Sequence, residues 1–469
     1  MKRRTYLRAL GVGALAGLAG CSSSDGEPTA QTPTATPEDT PEGTPDTGPD
    51  GGRGTTEIPF DTTVDMVEDL GCDPTGEESC TDALREAAAH NTRLRFPAGE
   101  FALGRTARLA GYDNLSVVGA GVEETTLVAP PDHNGNWLVF DEGSAAGVAG
   151  FTVDASARDT APTVKVAARD RILVRDVEVV GRGSYPGGAA QNVGNALLPV
   201  VRSAQGAGLV QNFVAREGGV VGRYNNGHGR VGIYVGPSNR GSLRFVDCHL
   251  EEFPNNGIYA SRTPGRIMVE GGLFRNNDAA NVRLSGDGSY VDGTRIEVDA
   301  GAYEGPGGRE AFNNPRAIAW DSGSFPKAGG EIRNCRIAFR DAPTVVAAVV
   351  VKANTGALTF RNSHLTMDVN RPALLAMRPN GGYHAAPPEP HNVHIHGARI
   401  DGQTTGPGIL ISGRPGSRLA NSLLALPNAV GIRLADAPDF SLSDTLLFVG
   451  QEAVVDPSAT FDVQWSLPW

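Results

Sequence analysis

From about residue 110 onward one short pattern of apolar and polar positions recurs: apolar, any residue, Asn/Asp/Gly, a usually small residue, any residue, apolar. It reads Phe245-Val246-Asp247-Cys248-His249-Leu250, then Ile332-Arg333-Asn334-Cys335-Arg336-Ile337, then Phe360-Arg361-Asn362-Ser363-His364-Leu365. With the third position as anchor it falls at Asn114, Gly150, Asp176, Gln211, Asp247, Gly271, Gly293, Asn334, Asn362, Gly397, Asn421 and Asp444, the closest of them 22 to 24 residues apart. Asn, Asp and Gly tolerate the left-handed backbone that turns one strand sharply into the next. The first, fourth and sixth positions are expected to point inward, the fourth being small because the corner is narrow. Cys248 and Cys335 occupy it and read as buried thiols; two anchors separate them, too far for a disulfide at the strand spacing.

A second apolar strand precedes each bend, as in Gly232-Ile233-Tyr234-Val235, Gly257-Ile258-Tyr259-Ala260, Ala317-Ile318-Ala319-Trp320 and Gly431-Ile432-Arg433-Leu434. Three short strands per unit of about 22 residues, with no helix between units, predict an all-β chain wound as a single right-handed parallel β-helix of about twelve coils. At roughly 4.8 Å per coil this makes a rod of roughly 50 Å.

An open end of such a rod needs a cap. Ser79-x-x-Asp82 before Ala83-Leu84-Arg85-Glu86-Ala87-Ala88-Ala89 predicts a short N-terminal capping helix. After it stand Leu94-Arg95-Phe96-Pro97-Ala98-Gly99-Glu100-Phe101 and Leu115-Ser116-Val117-Val118-Gly119-Ala120-Gly121. This order of helix and strands resembles the start of the pectate-lyase-like superfamily, and the resemblance covers roughly residues 60 to 460. It implies a fold whose members include polysaccharide lyases, hydrolases, epimerases, phage tailspikes and non-catalytic proteins, so fold alone chooses no function. Residues 58–112 are assigned to the cap and first coil, and 113–469 to the β-helix, with Phe461, Trp465 and Trp469 covering its far end.

The first 57 residues belong elsewhere. Lys2, Arg3, Arg4 and Arg8 precede a short apolar run, and Arg3-Arg4-Thr5-Tyr6-Leu7-Arg8 resembles a twin-arginine export signal. Leu18-Ala19-Gly20-Cys21 resembles a lipobox, which implies removal of residues 1–20 and lipid on Cys21, anchoring the protein outside the cytoplasmic membrane. Residues 21–57, rich in Ser, Thr, Pro, Gly and acids, read as a disordered tether. Removing the signal takes the net charge from −12 to −16. This acidity argues against nucleic-acid binding, and with only four lysines it points to a high-salt, haloarchaeal type of source. Cys72 and Cys80 bracket a short polar loop and are expected to pair as a disulfide outside the cytoplasm.

Outward positions on the strand preceding each bend include Lys165, Tyr234, Tyr259, Arg283, Asp321, Lys352 and Arg433. Aromatic faces that stack on sugar rings and cations that pair with carboxylates suit an acidic polysaccharide. Lys165, Tyr234, Tyr259 and Asp321 are therefore candidate substrate contacts. His228, Arg230, Arg283 and Lys352 are candidate catalytic groups for a uronate lyase, which needs a base and something to neutralise the carboxylate. Long insertions at about 181–197, 216–230, 299–316 and 378–392 are expected to wall one side. Gly227-His228-Gly229 resembles a polygalacturonase tripeptide, but that family's carboxylates are absent in order, so a lyase reading outranks a hydrolase one. A calcium ion is a possible cofactor, with Glu310 and Asp321 as weak ligands; His394 and His396, alternating on one strand face, are weak transition-metal ligands. The rival readings are a non-catalytic glycan-binding or structural surface protein and, more weakly, an exported metal-handling protein.

Overall fold

The computed structural model describes residues 57–186, 193–222, 229–382, 384, 386–452, 454–455 and 463–464, all within one unit, 56–469. The signal peptide, the tether with Cys21, His228 and the expected C-terminal cover of Phe461, Trp465 and Trp469 lie outside the described residues.

The described chain is a right-handed parallel β-helix. Its 37 strands join in one continuous sheet, every pairing being parallel. Each coil passes through three faces. On the first face the strands Ile233–Tyr234, Asn256–Tyr259, Ala280–Leu284, Ile318–Trp320, Val349–Val351 and Leu374–Ala376 stack in register. The second runs through Ser242–Val246, Ile267–Glu270 and Tyr290–Asp292, the third through His249–Glu251, Leu273–Arg275 and Arg295–Asp299. Alternation turns every second residue of a strand inward, so like stacks on like. Ile233, Ile258, Val282, Ile318, Val349 and Leu374 form one such column, all fully buried. Each contributes roughly 1.5–3 kcal/mol.

The corner between the second and third faces is where the repeat anchors sit. Gly150, Asp176, Asp247, Gly271, Gly293, Asn334, Asn362, Gly397, Asn421 and Asp444 all have left-handed backbone, φ between 45° and 70°. Two expectations shift. The bend after Ala207–Ala215's first half is at Asn212 (φ 50°), not Gln211. Asn114 is left-handed too, but it lies at the preceding corner, where its Nδ2 donates to Oδ1 of Asn91 at 2.7 Å. The small fourth position does more than fit. Ser363 Oγ accepts from Cys335 N (3.0 Å) and Ser422 Oγ from Ala398 N (3.1 Å), satisfying amides that the corner frees. Asn362→Val is therefore expected to lower unfolding free energy by about 1–2 kcal/mol, the cost of holding a β-branched residue left-handed, with Asn362→Gly close to neutral. Urea unfolding of the two variants checks this.

The helix is Thr81–Glu86, shorter than expected, and Cys80 is its N-cap with no side-chain cap bond. Ser79 does not close a capping box; its Oγ accepts from Gly104 N at 3.0 Å instead. Leu84 is fully buried over the first coils. Strands at Thr62–Asp65 and Thr75–Ser79 already pair with the next coil, so winding begins before residue 112. Cys72 and Cys80, expected to pair, are buried neighbours that stand as free thiols.

Candidate functional site

The three outer faces differ in charge. On the second, cations and carboxylates pair across strands, as in Arg244–Glu270 (2.6 Å), Arg333–Asp292 (2.9 Å) and Arg361–Glu331 (3.2 Å). On the third, Arg216 pairs with Glu178 and Arg275 with Glu251. The first face instead gathers cations in excess.

Its outward register file runs Lys165, Leu198, Tyr234, Tyr259 and Arg283. Arg283 donates through Nε to Oδ2 of Asp321 at 2.7 Å. Asp321 follows the Ile318–Trp320 strand one coil on, so the pair bridges neighbouring coils. Its Oδ1 accepts from Gly323 N (2.8 Å) and Asn354 Nδ2 (2.9 Å), and the residue is 1 % exposed. Burial pushes the Asp321 carboxyl up, but Arg283 and these hydrogen bonds outweigh it and hold it below the usual range.

Three further cations surround this pair, and among the described residues the one other carboxylate that acts on any of them is Asp278, beside Arg316. Burial, with Arg283 nearby, pushes Arg316 down to about 10; its Nη1 reaches Ala279 O at 2.8 Å, and its buried Nε has no partner. Burial pushes Lys327 down to about 8, its Nζ donating to Thr263 O at 3.1 Å. Lys352 is lowered by burial, then by Arg316. Two carboxylates, Asp321 and Asp278, thus face four cations.

Several expected residues take other roles. Tyr259 is buried, with Arg283 4.5 Å and Arg262 5.3 Å from its ring centre, so it is a platform for guanidinium groups rather than an open sugar-stacking face. Tyr234, edge-on to it at 5.5 Å, stays half-exposed. Lys165 is at the file's other end, donating to Asp141 Oδ2 at 2.7 Å. Arg230 is not presented to a ligand. It is fully buried and donates to the carbonyls of Gly218 and Pro162, both at 3.2 Å. Gly183 lies so close that a Cβ there would come within 1.6 Å of Arg230 Nη1. Arg230 therefore braces the insertions. Val221, Tyr303 and Phe312 pack the second and third of them together. The 378–392 insertion leaves the first face on the opposite margin, so the loops flank both sides of the face rather than one.

The metal ligands do not assemble. Glu310 is exposed and paired with Arg309 at 2.7 Å, while Asp321 is committed to Arg283 among cations that would repel Ca²⁺. His394 and His396 are on the second face, bonded to Asn392 and Asn421. Among the described residues no three His, Cys, Asp or Glu side chains gather as a metal site would require. Sequence reasoning missed Arg316, Lys327 and Asn354, which sit in turns where no period marks them.

No protein-family model matches the chain, and no curated protein matches it. Among solved structures it is similar to the catalytic unit of a thermostable GH87 α-1,3-glucanase from Streptomyces thermodiastaticus, at 16 % identity over 87 % of this chain and 71 % of that one, TM-score 0.52. It is also similar to the surface protein and adhesin PfbA of Streptococcus pneumoniae, at 10 % identity over 82 % of this chain and 100 % of that one, TM-score 0.50. At such identities the likeness is one of fold.

Proposed function

We propose that the chain is an exported, lipid-anchored surface protein whose first β-helix face holds an acidic polysaccharide. One observation carries this reading: Arg316, Lys327 and Lys352 crowd the Arg283–Asp321 pair with Asp278 as the one further carboxylate, so cations outnumber carboxylates in a chain of net charge −12. Largely buried cations that outnumber their carboxylates cost stability unless an anion meets them. A uronate carboxylate fits that requirement, and half-exposed Tyr234 offers a ring edge for a sugar. The twin-arginine and lipobox-like segments support an extracytoplasmic location, and the similarity of fold to a polysaccharide-degrading enzyme and to a surface adhesin agrees with a glycan-facing role.

A reaction on the same geometry is a β-elimination. Arg283 and Arg316 would neutralise the uronate carboxylate, and neutral Lys352, lowered by burial and Arg316, would take the C5 proton alpha to it; the electron pair forms the C4–C5 double bond, the C4–O4 bond breaks, and the leaving oxygen takes a proton from water. The non-catalytic reading differs only in lacking that step. Incubating the purified body with uronate polysaccharides and following absorbance of unsaturated products separates the two: binding without absorbance leaves a binder.

The pH dependence of binding follows from the lysines. A lysine lowered in the fold binds fewer protons there than when unfolded, so from about pH 8 upward stability rises as the fold sheds a charge it holds poorly. Ligand binding has the opposite sign, because an anion needs that charge. Affinity for a uronate polymer is expected to be highest below pH 8 and to fall as pH rises through about 8, where Lys327 deprotonates. Titration calorimetry across that window checks it; a flat profile removes Lys327 from the site.

A further inference from the structure

The first face carries a second cationic centre. Asp141 accepts from Lys165 (2.7 Å) and from Arg202, and Arg108 stands 3.5 Å away. Three cations thus meet one carboxylate, an excess of cations like that around Asp321. Asp141 is nearly buried; burial pushes its carboxyl up, but Lys165 and Arg202 outweigh this and lower it. It stays ionised and cancels only one of the three charges.

The two centres share one file. Lys165 and Arg283 occupy the same outward register position, four strand steps apart, with Leu198, Tyr234 and Tyr259 between them. At about 4.8 Å per step their separation is roughly 19 Å. The spacing is rigid because hydrogen-bonded coils set it. Between the centres the file itself holds no charged residue, Arg262 stacking on Tyr259 from beside it, and Tyr234 is half-exposed there.

We infer that the two centres form one bivalent site for a linear polyanionic glycan, which lies along the helix axis with one acidic group at Arg283–Asp321 and another at Lys165–Arg202–Asp141. This deepens the acidic-glycan reading and rests on it. A chain long enough to reach both centres gains from an intramolecular second contact, which raises avidity by 10²–10⁴-fold over either centre alone (order of magnitude). A chain too short to reach both binds each centre separately and weakly.

The test is calorimetry with a homopolymeric uronate polysaccharide and with the disaccharide of the same sugar. The disaccharide is expected to bind weakly at two sites per protein, and the polymer at least about 100-fold more tightly. Arg202→Gln, and separately the triple change Lys165→Gln, Arg202→Gln and Asp141→Asn, which leaves Arg108 as the centre's one charge, should bring polymer affinity down at least about tenfold and disaccharide stoichiometry from two to one. Urea unfolding of both variants shows whether the coils remain intact, and the triple change leaves no buried carboxylate short of partners if Arg202→Gln alone unfolds. Disaccharide binding at one site, with polymer affinity unmoved in both variants, overturns the bivalent site and leaves the single-centre reading standing. Failure of the wild-type protein to bind either probe overturns both.

Discussion

Replacing Arg414 with Met is expected to lower the unfolding free energy of the β-helix by about 3–5 kcal/mol. Arg414 is fully buried and faces no carboxylate. Its guanidinium is held by carbonyls instead: Nε to Met377 O (2.8 Å), Nη1 to His391 O (2.8 Å) and Gly356 O (3.0 Å), Nη2 to Lys352 O (2.9 Å) and Thr355 O (3.3 Å). Burial pushes the group down to about 10, so it stays charged at neutral pH. A methionine fills the volume but takes the donor from five acceptors, of which, among the described residues, Lys352 O alone keeps another bond, from Thr355 N at 3.3 Å. That distinguishes it from a buried ion pair, where an apolar swap removes both charges together and is often harmless. Arg414→Lys recovers part of the loss, since an ammonium brings three donors in place of five. Urea unfolding measures the difference. Proteolysis adds a local reading, because cleavage should rise first in the turns at 352–357 and 377–392 that the guanidinium ties together. A Met variant as stable as the parent would mean that water replaces the side chain at these carbonyls.

Arg283→Gln is expected to weaken binding of a uronate polymer by about 30-fold or more, the usual consequence of removing one partner from a desolvated charge pair. The fold should tolerate the change, because Asp321 keeps its bonds from Gly323 and Asn354 and still faces Lys352 and Arg316. Asp321→Asn is the informative partner. It preserves the size of the side chain and removes the carboxylate paired with Arg283, so the field on an incoming anion becomes more positive and affinity should rise if the coils hold. Opposite movements in the two variants identify an anion site. Losses in both variants would mark the pair as structural.

The fold was legible because its signal repeats. The corner needs a left-handed residue every coil, and only a few residue types accept that backbone, so the anchors show through a sequence that otherwise varies. The misplacement at Gln211 is one residue wide, beside Asn212, which carries the bend. Asn114 obeyed the same backbone rule at a different corner, where the apolar spacing looks alike. The site was legible only along strands. Alternation identified Lys165, Tyr234, Arg283 and Lys352 as outward, but it could not tell that Tyr259 would be covered by two guanidinium groups. Arg316 and Lys327 precede or follow strands, in turns whose path depends on the neighbouring coils. Arg230 shows the converse: next to a strand, in the right residue class, yet turned inward to hold the carbonyls of Gly218 and Pro162. Direction at a turn is a tertiary property, and one sequence does not print it.

The register of the first face converts residue count into distance. Each coil touches only the coils before and after it, so inserting or removing one complete coil between Lys165 and Arg283 would translate one end of the file relative to the other by a single strand step and leave both ends as they are. The molecule behaves as a ruler with interchangeable graduations: the distance it measures can be reset by whole units, without redesigning the groups that do the measuring.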